Sequence, residues 1–479
     1  MRELTTDVAI IGAGTAGLNA RREVERASKR WLLIESGAYG TTCARVGCMP
    51  SKLLIAAAEA AHGARHADVF GVHVEPAAIR IDGRAVLERV RRERDRFVSL
   101  VARDAEELPA EPRLRGHARF VGPTELQVDE HTRVHARAVV VATGSRPTVP
   151  ETLEPVRDRV LTSDTIFELP ELPRSLAVFG TGAIGLELGQ ALSDLGVRVV
   201  FYNPNDQLGF FTDPVLKERS RAYWNAELSL QLGVRELRAE RTPHGVRLHY
   251  RSASGVAEQA DFEHVLAAVG RTPNLERLGL EHTGLELDER GRPRCDPGTT
   301  QCGTAPIFLA GDVSGFRTLL HEAVDGGAIA GANAASYPNV VKVGRKAALS
   351  IGFTRPRIAL VGRTHAEAVR GNVAIGESSY EDQGRARVIA EPQGHVRVYA
   401  DRASGRLIGA EMIGPAVEHT AHLLAWAVQS EQPLLQLLHM PVYHPTLEEG
   451  IRTALRDAAQ QLKLLEGCGP GELGSGPGG

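Results

Sequence analysis

The sequence predicts an α/β protein in which two copies of a strand–turn–helix–strand unit precede a smaller α+β module. Buried-strand runs at residues 7–11 and 175–179 each lead into a Gly-x-Gly-x-x-Gly turn, a helical stretch and a second apolar strand. From about Lys346 the pattern changes to short strands mixed with helices. The length of 479 residues agrees with roughly three domains of about 150 residues each.

The composition is that of a globular chain. Hydrophobic residues make up 43% and charged residues 24%, which excludes disorder over most of the sequence. The net charge of -3 and an aromatic content of 5% argue against nucleic-acid binding. No run approaches the ~20 apolar residues that cross a bilayer, and the apolar stretch at residues 8–11 is too short for a signal peptide. We therefore expect a cytoplasmic protein with neither a nucleic acid nor a membrane as its partner.

The first glycine turn has the pattern of a dinucleotide-binding fold. Gly12 allows the tight turn, Gly14 lets the backbone approach a pyrophosphate, and Gly17 permits close helix–strand packing. The following helix offers its N-terminal N–H groups to the phosphates. Glu35, at the end of the second strand, is placed to accept hydrogen bonds from ribose hydroxyls.

The pattern repeats at Gly180, Gly182 and Gly185, so the chain is predicted to contain two Rossmann-like dinucleotide-binding domains. A degenerate, non-binding second copy is the alternative, but its glycines are intact. Asn203 ends the second strand of this copy, where an acidic residue would favour NAD. Residues 204–210 contain no Lys or Arg for the 2′-phosphate of NADP, so we expect NAD.

Two cysteines, Cys43 and Cys48, stand at the start of an Ala-rich helical stretch. A helix N-terminus lowers the pKa of a thiol, and Gly47 and Pro50 allow an irregular first turn that brings the two sulfurs together. Two unrelated buried cysteines or half of a metal site are the alternatives. Because the spacing differs from the Cys-x-x-Cys of zinc sites and no second Cys/His pair is nearby, we favour a redox pair.

Eight sequence boxes occur in one order over roughly residues 5–455. In these boxes the chain resembles the pyridine nucleotide-disulfide oxidoreductases, and among them the dihydrolipoyl dehydrogenases. The boxes are the first glycine turn, the segment from Cys43 to Lys52, Ala142-Thr143-Gly144, the second glycine turn with Glu187, Gly270-Arg271-Thr272-Pro273-Asn274, Ala310-Gly311-Asp312, Phe353-Thr354 with Val361-Gly362, and His444-Pro445-Thr446.

The resemblance implies two cofactors, FAD in the first fold and NAD in the second. The residues implied to bind FAD are Gly12, Gly14, Gly17, Glu35, Lys52, Thr143, Gly144 and Asp312. Those implied to bind NAD are Gly180, Gly182, Gly185, Asn203 and Gly270.

The resemblance also implies catalytic roles. Cys43 would be the interchange thiol that exchanges with the substrate, and Cys48 the thiol next to the flavin. Lys52 would stabilise negative charge on the reduced flavin, with Glu187 as its ion-pair partner.

His444 would be the acid–base catalyst, and Glu449 would orient its ring. In the family the C-terminal module contributes this histidine to the other subunit, so the implied partners are a second copy of the chain and a lipoyl-bearing protein domain.

The implied domains are an FAD-binding domain at residues 1–150, an NAD-binding domain at 151–274, a return segment at 275–345 that completes the FAD-binding domain, a C-terminal α+β dimerisation domain at 346–465, and a Gly/Pro-rich tail at 466–479.

Some positions depart from the family pattern. Thr41 stands where a glycine is usual, Arg45 replaces an asparagine, and Val442 replaces a histidine common in dihydrolipoyl dehydrogenases. These departures leave open a second function, that of an NAD(P)H-dependent reductase of another disulfide or of a metal substrate, similar to glutathione or mercuric reductases. A flavin-binding interaction subunit without catalysis is a third possibility, which the intact catalytic residues disfavour.

Three further cysteines match no family box. We expect Cys295 and Cys302 to be structural and Cys468 to be an exposed thiol in the tail.

Overall fold

The computed structural model describes residues 1–466. Its strands are β1 (Arg2–Ile11), β2 (Trp31–Glu35), β3 (Arg113–Arg115), β4 (Ala118–Phe120), β5 (Glu125–Val128), β6 (Thr132–Val141), β7 (Ser145–Pro147), β8 (Val160–Leu161), β9 (Ser175–Phe179), β10 (Arg198–Asn203), β11 (Ser229–Leu232), β12 (Arg235–Thr242), β13 (Gly245–Arg251), β14 (Ala257–Phe262), β15 (His264–Ala267), β16 (Arg271–Pro273), β17 (Ile307–Leu309), β18 (Leu349–Gly352), β19 (Arg357–Gly362), β20 (Val373–Ser379), β21 (His395–Asp401) and β22 (Leu407–Gly414). Its α-helices are α1 (Thr15–Arg26), α2 (Thr42–Arg45), α3 (Cys48–Arg65), α4 (Gly83–Glu106), α5 (Ala183–Asp194), α6 (Pro214–Asn225), α7 (Leu320–Ser336), α8 (His365–Ala368), α9 (Gly384–Val388), α10 (Val417–Gln429), α11 (Leu434–Leu438) and α12 (Glu448–Gln461).

The chain divides into two compact units. The first consists of Met1–Leu53, Glu88–Thr148 and Gly270–Arg345. The second takes in Leu54–Leu87, Val149–Val269 and, within the described residues, the chain from Lys346 to Glu466. Gly270 to Asn274, which the sequence analysis places with the second fold, therefore belong to the first unit, and the domain boundaries stay a prediction.

The first unit contains a seven-stranded sheet. Six of its strands follow the order β3-β2-β1-β6-β5-β4, and the seventh, β17, pairs with β6. β1 runs parallel to β2 and β6, and β17 runs parallel to the end of β6. Alternate residues of β1 lie in different apolar clusters, so both faces of the sheet are covered. Helices α1 and α7 pack closely because Gly327 faces the backbone of Ala16, where a Cβ would lie 2.3 Å from the Ala16 carbonyl oxygen.

The second unit contains a parallel five-stranded sheet in the order β11-β10-β9-β15-β8. The antiparallel strands β12, β13 and β14 follow one another as a separate three-stranded sheet. Val265 and Phe179 of the parallel sheet share one apolar cluster with Val246 and Leu248 of β13.

The C-terminal part of this unit is an antiparallel sheet in the order β18-β19-β22-β21-β20. Its core joins Val396 and Val398 of β21 to Ile451 and Ala454 of α12. At Gly376 of β20 a Cβ would lie 2.0 Å from the Ala454 carbonyl oxygen, so α12 packs directly on the backbone of β20. The predicted class, two glycine-turn α/β folds followed by an α+β module, is confirmed.

Candidate active site

The first glycine turn lies between β1 and α1. Gly12 has a φ of +106°, and a Cβ there would lie 2.4 Å from the Ala142 carbonyl oxygen. A Cβ at Gly17 would lie 1.9 Å from the Gly12 carbonyl oxygen, so both positions require glycine. At Gly14 a Cβ would meet no atom of residues 1–466 within 4 Å, and no side chain among them caps α1. The N-terminus of α1 therefore faces open space that fits a pyrophosphate.

Glu35 closes this turn. Its Oε2 accepts a hydrogen bond from the Ala13 N–H at 2.7 Å, and its Oε1 accepts one from the Gly37 N–H at 2.7 Å. The carboxylate thus joins the glycine turn to the loop after β2. Each oxygen keeps a second lone pair for a hydroxyl donor, so the predicted ribose contact stays a prediction that this arrangement permits.

Three of the predicted boxes meet at the end of β6. Thr143 Oγ1 donates to the Asn274 carbonyl oxygen at 2.7 Å, and Asn274 Nδ2 donates to the Thr143 carbonyl oxygen at 2.9 Å. Gly144 has a φ of +68°, and its carbonyl oxygen accepts the Asn274 N–H. Ser145 Oγ donates to Asp312 Oδ2 at 2.7 Å. These bonds bring Thr143, Gly144 and Asp312 near one another, and their shared role in binding FAD stays a prediction.

The cysteine pair lies at the junction of two helices. Cys43 is in the one-turn helix α2, and Cys48 is the first residue of α3. Gly47 permits this close arrangement, because a Cβ there would lie 3.2 Å from the Cys43 Cα. Both residues are thiols, and their side chains are hydrogen-bonded to each other. The sequence reasoning expected the two sulfurs to meet, and in the structure they do.

The electrostatics at Cys43 differ from the sequence expectation. The hydrogen bond to Cys48 and burial raise the pKa of the Cys43 thiol, although the positive charge of Lys52 acts in the opposite direction. The net pKa shift of Cys43 is therefore opposite to the expected one, although the Cys48 backbone N–H at the start of α3 does act to lower the pKa. The reason is that the partner sulfur, which the helix argument ignores, outweighs the helix end.

Thr41 and Arg45 have identifiable roles next to the pair. Thr41 is buried, and its Oγ1 caps α2 by accepting the Ala44 N–H at 3.2 Å. Arg45 donates from a guanidinium N–H to the Ala38 carbonyl oxygen at 3.2 Å and packs against Gly40. Arg45 thus stabilises the loop that precedes the cysteines.

The second glycine turn repeats the geometry of the first within the second unit. Gly180 has a φ of +102°, and a Cβ there would lie 2.4 Å from the Ala268 carbonyl oxygen. A Cβ at Gly185 would lie 2.2 Å from the Gly180 carbonyl oxygen. Gly182 faces open space as far as the described part of the chain extends. This turn also fits a dinucleotide pyrophosphate.

Asn203 is engaged by its own loop. Its Nδ2 donates to Thr181 Oγ1 and to the Gln207 carbonyl oxygen, and its Oδ1 accepts the Asn205 N–H at 2.9 Å. Both amide protons are used, so a ribose hydroxyl can bond to Asn203 only by donating to Oδ1.

A cation missed by the sequence reasoning lies beside this loop. Arg221 of α6 forms an ion pair with Asp206. Arg221 lies beyond residues 204–210, where a Lys or Arg was expected for NADP, and only the tertiary fold brings α6 back to this loop. Asp206 therefore does not act as a lone negative charge here.

Two other predicted residues have partners within their own unit. Glu187 of α5 is buried, and its Oε1 accepts the Phe353 N–H at 2.8 Å. Its pairing with Lys52 stays a prediction. Gly270 has a φ of +126°, and its carbonyl oxygen accepts the Thr148 N–H at 3.0 Å in the first unit. Its role in NAD binding also stays a prediction.

His444 and Glu449 form a dyad before and within the first turn of α12. His444 Nδ1 lies 3.0 Å from Glu449 Oε1, and Glu449 Oε2 accepts the Thr446 N–H at 3.1 Å. Glu449 is 7% exposed, whereas the His444 side chain is 55% exposed. A buried carboxylate thus orients an exposed imidazole through Nδ1, and the role of His444 as acid–base catalyst stays a prediction.

Comparison with known families decides what class of protein carries these sites. A family profile described as pyridine nucleotide-disulphide oxidoreductase matches residues 6–332, and the dimerisation domain of that family matches residues 349–455. The chain belongs to the pyridine nucleotide-disulfide oxidoreductases. It is therefore an oxidoreductase, and FAD and NAD are its cofactors.

Individual relatives agree with this family. The chain is 31% identical over 466 residues to dihydrolipoyl dehydrogenase 2 of Haloarcula marismortui, covering 94% of this chain and 96% of the relative. Among solved structures it is similar to LpdA of Mycobacterium tuberculosis, with a TM-score of 0.79, 25% identity, and coverage of 94% and 99% of the two chains. It also shares the fold of the flavoprotein disulfide reductase RclA of Escherichia coli, with a TM-score of 0.78, 21% identity and the same coverage.

Two other kinds of site are absent from the described residues. No helix within residues 1–466 is long and apolar enough to cross a membrane. No group of three or more His, Cys, Asp or Glu side chains in that range is arranged to hold a metal ion. Cys468 lies outside the described residues.

Proposed function

We propose that the protein is a dihydrolipoyl dehydrogenase, which oxidises a protein-bound dihydrolipoyl group and reduces NAD to NADH. The observation that carries the proposal is the hydrogen-bonded Cys43–Cys48 pair at the start of α3, under the influence of the Lys52 charge. Relatives named dihydrolipoyl dehydrogenase, matched over 94% of the chain, support this substrate over other disulfides.

The thiol chemistry begins with Cys43 and Cys48 joined as a disulfide. A thiolate of the dihydrolipoyl group attacks the Cys43 sulfur, the Cys43–Cys48 bond breaks, and Cys48 leaves as a thiolate. The second dihydrolipoyl thiol then attacks the mixed disulfide and displaces Cys43. The lipoyl group is oxidised by two electrons, and the cysteine pair is reduced to the dithiol state described above.

The thiol exchange requires a group that accepts and returns protons. The two attacks release two thiol protons from the substrate, and Cys43 and Cys48 take up one proton each to reach the dithiol state. The pKa of Cys43 in the dithiol is raised, so it holds that proton firmly. His444, oriented through Nδ1 by Glu449, is the proposed carrier of both protons at Nε2.

FAD, when bound, would accept the electron pair from the thiols and pass it to NAD as a hydride. The residues proposed to hold FAD are Gly12, Gly14, Gly17, Glu35, Thr143, Gly144 and Asp312, with Lys52 near the reactive ring. Gly180, Gly182, Gly185 and Asn203 are proposed to hold NAD, together with Gly270.

The proposed catalytic assembly is a homodimer in the cytoplasm. The matched dimerisation domain supports two copies, and His444 of one copy is proposed to serve Cys43 of the other. The exposure of the His444 side chain in the single chain supports an arrangement in which its target lies elsewhere.

The test is reduction of NAD by dihydrolipoamide with flavin-loaded protein, followed at 340 nm, with NADP in a parallel assay. We expect turnover with NAD, its abolition in Cys43→Ser, and a fall of at least about a hundredfold in His444→Gln. Reduction of the flavin by NADH should survive in both variants, because it needs neither residue.

A wild-type protein whose flavin NADH reduces but which does not oxidise dihydrolipoamide would contradict the lipoyl substrate. Oxidised glutathione and mercuric ion, assayed with NADH and with NADPH, would then test the other reductase activities that the sequence leaves open.

A further inference from the structure

A second pair of cysteines lies in the first unit, away from Cys43 and Cys48 in the chain. Cys295 and Cys302 face each other across an antiparallel bridge. The Asp296 N–H donates to the Gln301 carbonyl oxygen at 3.1 Å, so the cysteines occupy the adjoining pair that has no hydrogen bonds of its own. At such positions the facing Cα atoms lie about 4.5 Å apart and the side chains are close. That separation falls within the range that a disulfide spans, roughly 4.4 to 6.8 Å.

The turn between the cysteines is fixed by its own hydrogen bonds. Asp296 Oδ1 accepts the N–H of Gly298 at 2.7 Å and that of Thr299 at 3.1 Å. Asp296 also forms an ion pair with Lys342 at 2.8 Å. The backbone therefore holds the two sulfurs together without a covalent bond, so formation of a disulfide requires no large rearrangement.

The two thiols differ in exposure and in acidity. Cys302 is 1% exposed, whereas Cys295 is partly exposed and lines a cavity together with Gly311, Ser314 and Phe316. Their side chains are hydrogen-bonded, and this bond lowers the pKa of Cys295 while it and burial raise the pKa of Cys302. An accessible, more acidic thiol beside a buried partner is the usual arrangement of an attacking and a resolving cysteine.

We propose that Cys295 and Cys302 form a second thiol–disulfide couple, which hydrogen peroxide oxidises through Cys295. The Cys295 thiolate attacks one peroxide oxygen, the O–O bond breaks, and the departing oxygen leaves as water after protonation. The resulting sulfenic acid is attacked by the Cys302 sulfur, which forms the disulfide and releases a second water. Two thiols lose two electrons and two protons in total, and hydrogen peroxide is reduced to two waters. A dithiol reductant returns the pair to two thiols by exchange and is itself oxidised to a disulfide.

This couple is independent of the proposed lipoyl activity. A purely structural role for Cys295 and Cys302, as the sequence predicts, would be expected of a permanently buried pair. Such a pair would not react with peroxide. Cys295 is partly exposed and lines a cavity, so a small peroxide can reach this residue.

The test uses flavin-loaded protein with Cys43→Ser, Cys48→Ser and Cys468→Ser, in which Cys295 and Cys302 are the remaining two of the five cysteines. After exposure to hydrogen peroxide and quenching, thiols are alkylated with N-ethylmaleimide in denaturant, and tryptic peptide 295–317 is weighed. This peptide contains both cysteines. We expect it to lose both alkyl groups and two hydrogen atoms, and to regain both alkyl groups after dithiothreitol.

Cys302→Ser in the same background is the matched control, and it should stop at a sulfenic acid on Cys295 that dimedone traps. The proposal is overturned if the peptide keeps both alkyl groups, or if Cys295 is oxidised to sulfinic acid without loss of two hydrogens. The measurement on the background protein decides this even if the Cys302→Ser variant does not fold.

Discussion

The hydrogen bond between the Cys43 and Cys48 thiols controls when Cys43 ionises. Because the bond and burial raise the pKa of Cys43, its reactivity with iodoacetamide should be low at pH 7 and should rise with pH. Cys48→Ala removes the bond and keeps the Lys52 charge, so the pKa of Cys43 should fall. We expect alkylation of Cys43 at pH 7 to become at least about tenfold faster, measured by peptide mass on reduced protein.

Ser51→Ala is the control for this change, since it removes a hydroxyl that bonds the Cys48 carbonyl oxygen in the same turn and leaves the sulfurs alone. Equal alkylation rates in wild type and Cys48→Ala would mean that the thiol–thiol bond does not govern the acidity of Cys43.

The carboxylate of Glu449 fixes which nitrogen of His444 is available. In Glu449→Gln the new amide N–H₂ can donate to Nδ1, which would place the imidazole proton on Nε2 and remove its basic lone pair. We expect kcat for dihydrolipoamide oxidation to fall at least about a hundredfold, with the KM for NAD unchanged. Glu448→Gln alters the neighbouring carboxylate of the same helical turn and should leave kcat near wild type. A similar loss in both variants would point to a general charge effect at the start of α12.

At the scale of secondary-structure elements, the contact between β20 and α12 positions this dyad. Gly376→Ala would place a Cβ against the Ala454 carbonyl oxygen, so the helix must move away from the sheet. We expect the free energy of unfolding to fall by about 2 kcal/mol or more, measured by urea denaturation. Gly371→Ala is the matched control, because the nearest atom to its Cβ is 3.6 Å away. Equal stability of the two variants would show that α12 can shift without cost.

Local patterns predicted the elements whose requirements are local. A Cβ at Gly17 or Gly185 would clash with the carbonyl oxygen of the glycine five residues earlier, so the spacing within each turn predicts this contact. The close approach of Gly12 to Ala142 and of Gly180 to Ala268 is tertiary, and the spacing alone does not predict it. The meeting of Thr143 with Asn274 could be predicted only through family resemblance, because the two lie far apart in the chain.

The contacts that sequence reasoning missed are tertiary. Arg221 reaches Asp206 from the next helix, and Cys295 meets Cys302 because a turn folds back on itself. The pKa of Cys43 was mispredicted for the same reason, since a helix end is visible in the sequence and the distance between two sulfurs is not.

At the scale of the whole molecule, the proposed dimer predicts complementation between two inactive variants. A hybrid of one Cys43→Ser subunit and one His444→Gln subunit pairs the intact cysteine of one copy with the intact histidine of the other. If the site spans two subunits, refolding an equal mixture should restore about a quarter of wild-type activity, since half of the dimers are hybrids with one working site. Dihydrolipoamide turnover before and after mixing measures this. Persistent inactivity in a mixture shown to contain hybrids would place both residues in one subunit's site.

The first unit is built from three separate segments of the chain, and this has a consequence for protein synthesis. Val139 of β6 pairs with Ile307 of β17, which leaves the ribosome 168 residues later. At ordinary elongation rates that delay is on the order of ten to thirty seconds, within which β15, the last strand in the chain of the second unit's parallel sheet, is also synthesised. The end of β6 meanwhile exposes an apolar edge at Val139, Val140 and Val141. A nascent chain stalled before residue 307 should therefore be a client for chaperones that bind unpaired strands.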